Sequence, residues 1–178
     1  MGQYYKAVIL GKNKKSVNAW FDMHGWAKLT EHAFIGNNLC NAVENYLRCN
    51  PQRLVWAGDY ADPEKGSETN LYDRCTEKKA ITEFSEANLP AGLLVINHTK
   101  KEYYARDEVK SFRPYWSEKN WTFNPIAIMT AEGNGRGGGD YRCGVGREDI
   151  GRWARDLIEV NRIAPDGYKK INPYFKED

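Results

Sequence analysis

Residues 133–139 read GNGRGGG, five glycines in seven positions. Without Cβ atoms and with free access to positive φ, such a segment favours neither helix nor strand, so a loop is fixed there. The surrounding apolar residues come in short runs. Residues 4–10 and 16–22 are rich in aromatic and β-branched residues and flank the polar turn GKNKK, which predicts a hairpin. Residues 93–97 and 102–105 flank HTKK and predict a second one. Residues 53–57, RLVWA, read as a short buried strand that runs into the loop GDYADPEKGS.

Helical signals are fewer. In NNLCNAVENYLRCN, Leu39, Val43, Tyr46 and Leu47 share one stripe, Asn37 or Asn38 stands ready to cap the first turn, and Pro51 follows the end. A shorter helix is expected within 68–79, and residues 126–129 read as a short strand or a helix start. The tail, DIGRWARDLIEV and NRIAPDGYKKI, is read as strands around a Pro-Asp-Gly turn. The expectation is a single α+β domain over residues 1–178, mainly antiparallel sheet with one or two packed helices. A chain of 178 residues buries roughly 70% of its unfolded surface, enough for a core without staples.

Charge and cysteine content narrow the function classes. The net charge of +2 is too small for a nucleic-acid footprint. A mean hydropathy of −0.74, with no long apolar run, argues against a membrane protein. Cys40, Cys49, Cys75 and Cys143 are scattered without C-x-x-C spacing, and the N-terminus lacks the pattern of a secretion signal. Free thiols in the cytoplasm are expected.

Three segments carry candidate chemistry. The Gly-rich loop offers the backbone N–H groups of Asn134, Gly135, Gly137 and Gly138 to an anion, the guanidinium of Arg136 to a phosphate, and the carboxylate of Asp140 to hydroxyls or a metal. It matches neither the P-loop nor the dinucleotide fingerprint, and its plain alternative is a hairpin tip. WAGDYAD, residues 56–62, delivers Asp59 and Asp62 with the rings of Trp56 and Tyr60 to one loop. Stacking and hydroxyl binding are its functional reading; turn carboxylates and a core Trp are the plain one. In NHTKK, His98 is a candidate general acid or base at a hairpin bend, beside two lysines suited to phosphate or simply to solvent. His24 and His32 match no zinc spacing and are read as surface or core residues. The 113–121 segment, with Arg113, Tyr115, Trp116 and Trp121, suits a lid or an interface.

The start MGQYY, WAGDYAD, NHTKK and GNGRGGGD together resemble a family of small, uncharacterised bacterial and bacteriophage proteins. The resemblance is spread over most of the chain. Residues 153–156, WARD, echo the WAGD of 56–59, but Arg155 stands where the related pattern has glycine, so no glycine turn is expected there. The resemblance brings no established activity. It implies, by association with phage, a host-directed role such as sequestering a nucleotide signal or blocking a defence protein.

The leading expectation is a binding module for a phosphorylated, nucleotide-like small molecule, held between the 133–140 and 56–62 loops. Its site residues are Asn134, Gly135, Arg136, Gly137, Gly138, Asp140, Trp56, Asp59 and Tyr60. The alternatives are a hydrolase or phosphodiesterase using His98, Asp59 and Asp140, and an inhibitor that binds a host protein. No resident cofactor or metal is expected, a divalent cation on the carboxylates being the one exception the residues allow.

Overall fold

The computed structural model describes residues 3–22, 28–133 and 145–176. Among these, nine strands form one sheet flanked by three short helices, the mainly antiparallel α+β arrangement expected from the sequence. The strands are β1 (Tyr5–Leu10), β2 (Val17–Phe21), β3 (Gln52–Gly58), β4 (Ala80–Ile81), β5 (Leu94–Asn97), β6 (Glu102–Ala105), β7 (Ala131–Glu132), β8 (Leu157–Asn161) and β9 (Lys169–Lys170). The helices are α1 (Leu29–His32), α2 (Asn38–Tyr46) and α3 (Pro125–Met129). The sheet order is β4-β2-β1-β3-β8-β5-β6-β9, with β7 lying beside β3. Only the two-residue strands β4, β7 and β9 pair in parallel.

Both predicted hairpins form, β1 with β2 and β5 with β6. The central strands are buried on both faces, which is why their sequences read as nearly continuous apolar runs. Period-2 alternation sorts them. Ala7 and Ile9 of β1 and Leu54 and Trp56 of β3 join the larger core, with Ile158 and Val160 of β8. Val8 and Leu10, with Val55 and Ala57, face a smaller core closed by Leu71 and Tyr72.

The helices cover the larger core. Asn37 caps α2, its side-chain oxygen accepting from Leu39 N at 2.9 Å, and Leu39, Cys40, Val43 and Leu47 go inward. At α3, Asn124 accepts from Ile126 N at 3.2 Å and Pro125 occupies the first turn, where no N–H is needed. Residues 126–129 are therefore helix rather than strand, and all of them are buried. Inside this core Arg106 Nε donates to Glu44 Oε2 at 3.1 Å. Burial pushes the Glu44 carboxyl up against the opposing pull of Arg106.

The helix expected within 68–79 does not form; turns and a single 3₁₀ turn at Glu77–Lys79 stand there. Asn70 explains much of this. Its Nδ2 donates to the carbonyls of Asp59 at 3.0 Å and Ala61 at 3.2 Å, while its Oδ1 accepts from Asp73 N at 2.9 Å. Side-chain bonds of this kind compete directly with the helical backbone.

Candidate functional site

The strand pairings decide which loops meet. The first half of β3 pairs with β8, whereas its last residues pair in parallel with β7, Trp56 opposite Ala131 and Ala57 opposite Glu132. The chain therefore leaves both strands side by side, at Gly58 and Gly133. Loops beyond the carboxyl ends of neighbouring parallel strands are a recurrent place for ligands. Gln3, 2% exposed, lies across both glycines. A Cβ on either would collide with the Gln3 amide; on Gly58 it would also sit 2.8 Å from Glu132 O, and on Gly133 2.8 Å from the Tyr5 hydroxyl. Tyr5 fixes the amide by donating to Gln3 Oε1 at 3.0 Å. The two glycines are thus close-approach positions.

Next to this junction is a cavity of about 420 Å³, lined by the β1–β2 turn (Lys14, Lys15), by residues 61–65 after β3, by Glu132 and Gly133, and by Ala154 and Arg155. Arg155 ties these segments together. Its Nε and Nη2 grip Glu132 at 2.7 Å each, Nη1 reaches Glu64 Oε2 at 3.0 Å and Lys14 O at 3.1 Å, and Nη2 also bonds Glu64 Oε1. Burial alone would raise the Glu64 carboxyl, but the bonds and charge of Arg155 hold it below the ordinary range. In return, the two carboxylates overcome burial and raise Arg155. The arginine is saturated, so the cations still open to a ligand are Lys14, Lys15 and Lys65, whose ammonium groups form no ion pair among the described residues.

The sequence-selected residues fall in different places. Trp56 is fully buried, its indole N–H donating to His32 Nε2 at 2.7 Å. It is a core residue with no face toward the cavity. Tyr60 is 47% exposed on the loop. Asp59 is bound into the turn, Oδ1 accepting from Tyr4 N at 3.0 Å and its own N–H donating to Tyr4 O at 2.9 Å. Burial and then the Asp59 charge push the neighbouring Tyr72 phenol up to about 12. Asn134, Gly135, Arg136, Gly137, Gly138 and Asp140 lie outside the described residues.

His98 stands elsewhere. Its N–H bonds Leu157 O, and Leu157 pairs with Arg53, six residues before Asp59, which is about 20 Å along the strand direction. The structure does not bring His98 and Asp59 together. Instead His98 Nε2 lies 2.8 Å from Glu159 Oε2 and Nδ1 lies 3.1 Å from the Tyr168 hydroxyl. Neither partner is apparent from sequence, because they lie 61 and 70 positions away. His32, buried against Trp56, has its pKa lowered to about 4 by burial.

No family model, curated protein or solved structure matches the chain. Among the described residues, no helix is long and apolar enough to cross a membrane, and no group of three or more His, Cys, Asp or Glu is arranged to hold a metal ion. Cys40, Cys49 and Cys75 are free thiols.

Proposed function

We propose that the cavity beside Gly58 and Gly133 binds a phosphorylated, nucleotide-like small molecule. The observation that carries this reading is the set of Lys14, Lys15 and Lys65 ammonium groups, without an ion pair among the described residues, around a cavity whose volume falls in the ordinary range for small-molecule sites. The lysines receive phosphate and Asp62 addresses hydroxyls of the remainder, while Tyr60, exposed just before the lining begins, offers a ring from the same loop. From the sequence, Arg136 and the glycine N–H groups that follow Gly133 add further anion donors. Trp56 and Asp59 have no direct part, since one is buried and the other is committed to its turn. In the phage setting that the family resemblance implies, such a protein holds a host nucleotide signal.

Calorimetry with adenosine diphosphate and with pyrophosphate tests the reading. The Lys15→Ala/Lys65→Ala double variant is expected to bind at least about tenfold more weakly, each lost charge-assisted contact costing on the order of 1.5–3 kcal/mol. Equal affinity in the variant, or no binding of any phosphorylated compound retained from lysate, removes the proposal. Ligand recovered intact after denaturation separates a binder from the hydrolase alternative.

A second reading is favoured by one observation. Tyr115 is 90% exposed and Trp116 49% exposed, both lining a 350 Å³ surface depression with Arg113. Aromatics and arginine are the residue types that anchor protein interfaces. For a host-protein inhibitor, Tyr115→Ala/Trp116→Ala abolishes a stoichiometric complex while leaving nucleotide binding unchanged.

A further inference from the structure

We propose that Tyr168 is a base-activated phenol nucleophile for electrophilic phosphorus, with His98 taking its proton and Glu159 holding His98 in place. The arrangement is separate from the cavity above and does not depend on it. A carboxylate only accepts hydrogen bonds, so the 2.8 Å contact with Glu159 Oε2 puts the imidazole hydrogen on Nε2. The Nδ1 lone pair then faces the Tyr168 hydroxyl at 3.1 Å and accepts its O–H. Nucleophile, base and orienting acid thus stand in hydrogen-bond sequence, the geometry that activates hydroxyl nucleophiles in general.

The backbone holds the three groups rigidly. Asn97, the last residue of β5, pairs with Ile158 of β8, whose next residue is Glu159. Gly167 at φ +79° closes the turn in which Tyr168 N bonds Pro165 O at 3.3 Å. The His98 and Tyr168 rings meet edge to face with centroids 5.7 Å apart. The His98 and Glu159 side chains are 19% and 13% exposed, shielded enough to strengthen the relay while Tyr168 stays half-buried and accessible.

Nearby charge selects the electrophile. Lys169 follows Tyr168 and its N–H bonds Lys101 O at 2.9 Å, so two exposed lysines belong to the same turn region as the phenol. Neither has an ion pair among the described residues, unlike Lys100 with Asp156 and Lys170 with Glu108. That surround favours an anionic phosphoryl group. In the step, the phenol oxygen forms an O–P bond and the bond from phosphorus to the leaving group breaks, its electron pair departing with that group. The phenol proton ends on His98 Nδ1, giving an imidazolium held by Glu159.

The test exposes the intact protein to an aryl fluorophosphonate, from which fluoride departs, and follows adducts by peptide mass spectrometry. Tyr115, 90% exposed, serves as reference in the same sample. Tyr168 is expected to be labelled at least about tenfold faster than Tyr115, within the range that general-base assistance supplies. His98→Gln should bring Tyr168 down to the Tyr115 rate or below, His98→Gly should regain rate on adding imidazole, and Glu159→Gln should fall between. Labelling of Tyr168 no faster than Tyr115, or unaffected by His98→Gln, overturns the proposal. If the His98 variants do not fold, the ratio in the unaltered protein decides alone.

Discussion

Residues 56–59 and 153–156 share the pattern W-A-x-D and contrast in what they do with it. Both tryptophans are fully buried, and their backbone N–H groups bond the adjacent carbonyls of Thr130 and Met129. Beyond that point they diverge. Gly58 stays out of the left-handed region and uses its missing Cβ to let Gln3 pass, while Arg155 adopts φ +65° and carries the side chain that gathers the cavity wall. A left-handed residue thus stands at 155 without a glycine, and it is the arginine that adopts it. Five hydrogen bonds from its guanidinium hold a conformation that costs a non-glycine residue of order 1 kcal/mol or more.

The sharpest way to break the comparison is to remove that guanidinium. Arg155→Ala leaves Glu64 and Glu132 as neighbouring half-sheltered carboxylates, and a loss of about 3–4 kcal/mol is expected by denaturant unfolding, compared with a change near zero if the ion cluster is dispensable.

On the Trp56 side the corresponding lever is pH. His32 is neutral in the fold, with a pKa near 4 against an ordinary 6.5, so between those values the unfolded chain binds a proton that the native state refuses. Stability should therefore be full above about pH 6.5 and fall as pH drops toward 4, by roughly 3 kcal/mol from this group. A His32→Gln variant whose unfolding free energy follows the same slope would remove His32 as the cause.

Gly58→Ala is expected to cost about 2 kcal/mol, because the added methyl meets both a buried amide and the Glu132 carbonyl. Gly36→Ala, also a glycine but at φ +90° with open space around it, provides the contrasting case of pure backbone strain, about 1 kcal/mol. A last pair, which includes the smallest effect, sharpens the two indoles. Trp56→Phe leaves His32 Nε2 without its donor and should cost about 1.5 kcal/mol from that bond. Trp153→Phe leaves Glu102 still held by Arg152 and should lose only about 0.5 kcal/mol from its 3.2 Å bond. Melting curves of the two variants check the order.

Where local chemistry dominates, the fold was legible. The turn between β1 and β2, the Asn37 cap and the Pro-Asp-Gly turn all stand at their sequence signals, because each is set by residues within a few positions. What escaped reading is non-local. A two-residue strand such as β7 has no periodicity, yet its pairing with β3 is what brings Gly133 beside Gly58. Arg155 gave no sign of its role, since Glu64 lies 91 positions away and Glu132 23. His98 was visible as a candidate; Glu159 and Tyr168 were not, because a strand's outer face and a distant turn supply them. The fate of Trp56 followed the plainer reading, a ring closing the interior.

The rims of the sheet have their own consequence. Strands β4 and β9 are only two residues long, and β9 is a pair of exposed lysines. A second molecule seeking to extend the ladder there would find little open backbone and two lysine side chains, one of them already paired with Glu108. The shortness of these rims, more than their charge, leaves the sheet with little ladder for another copy to lengthen.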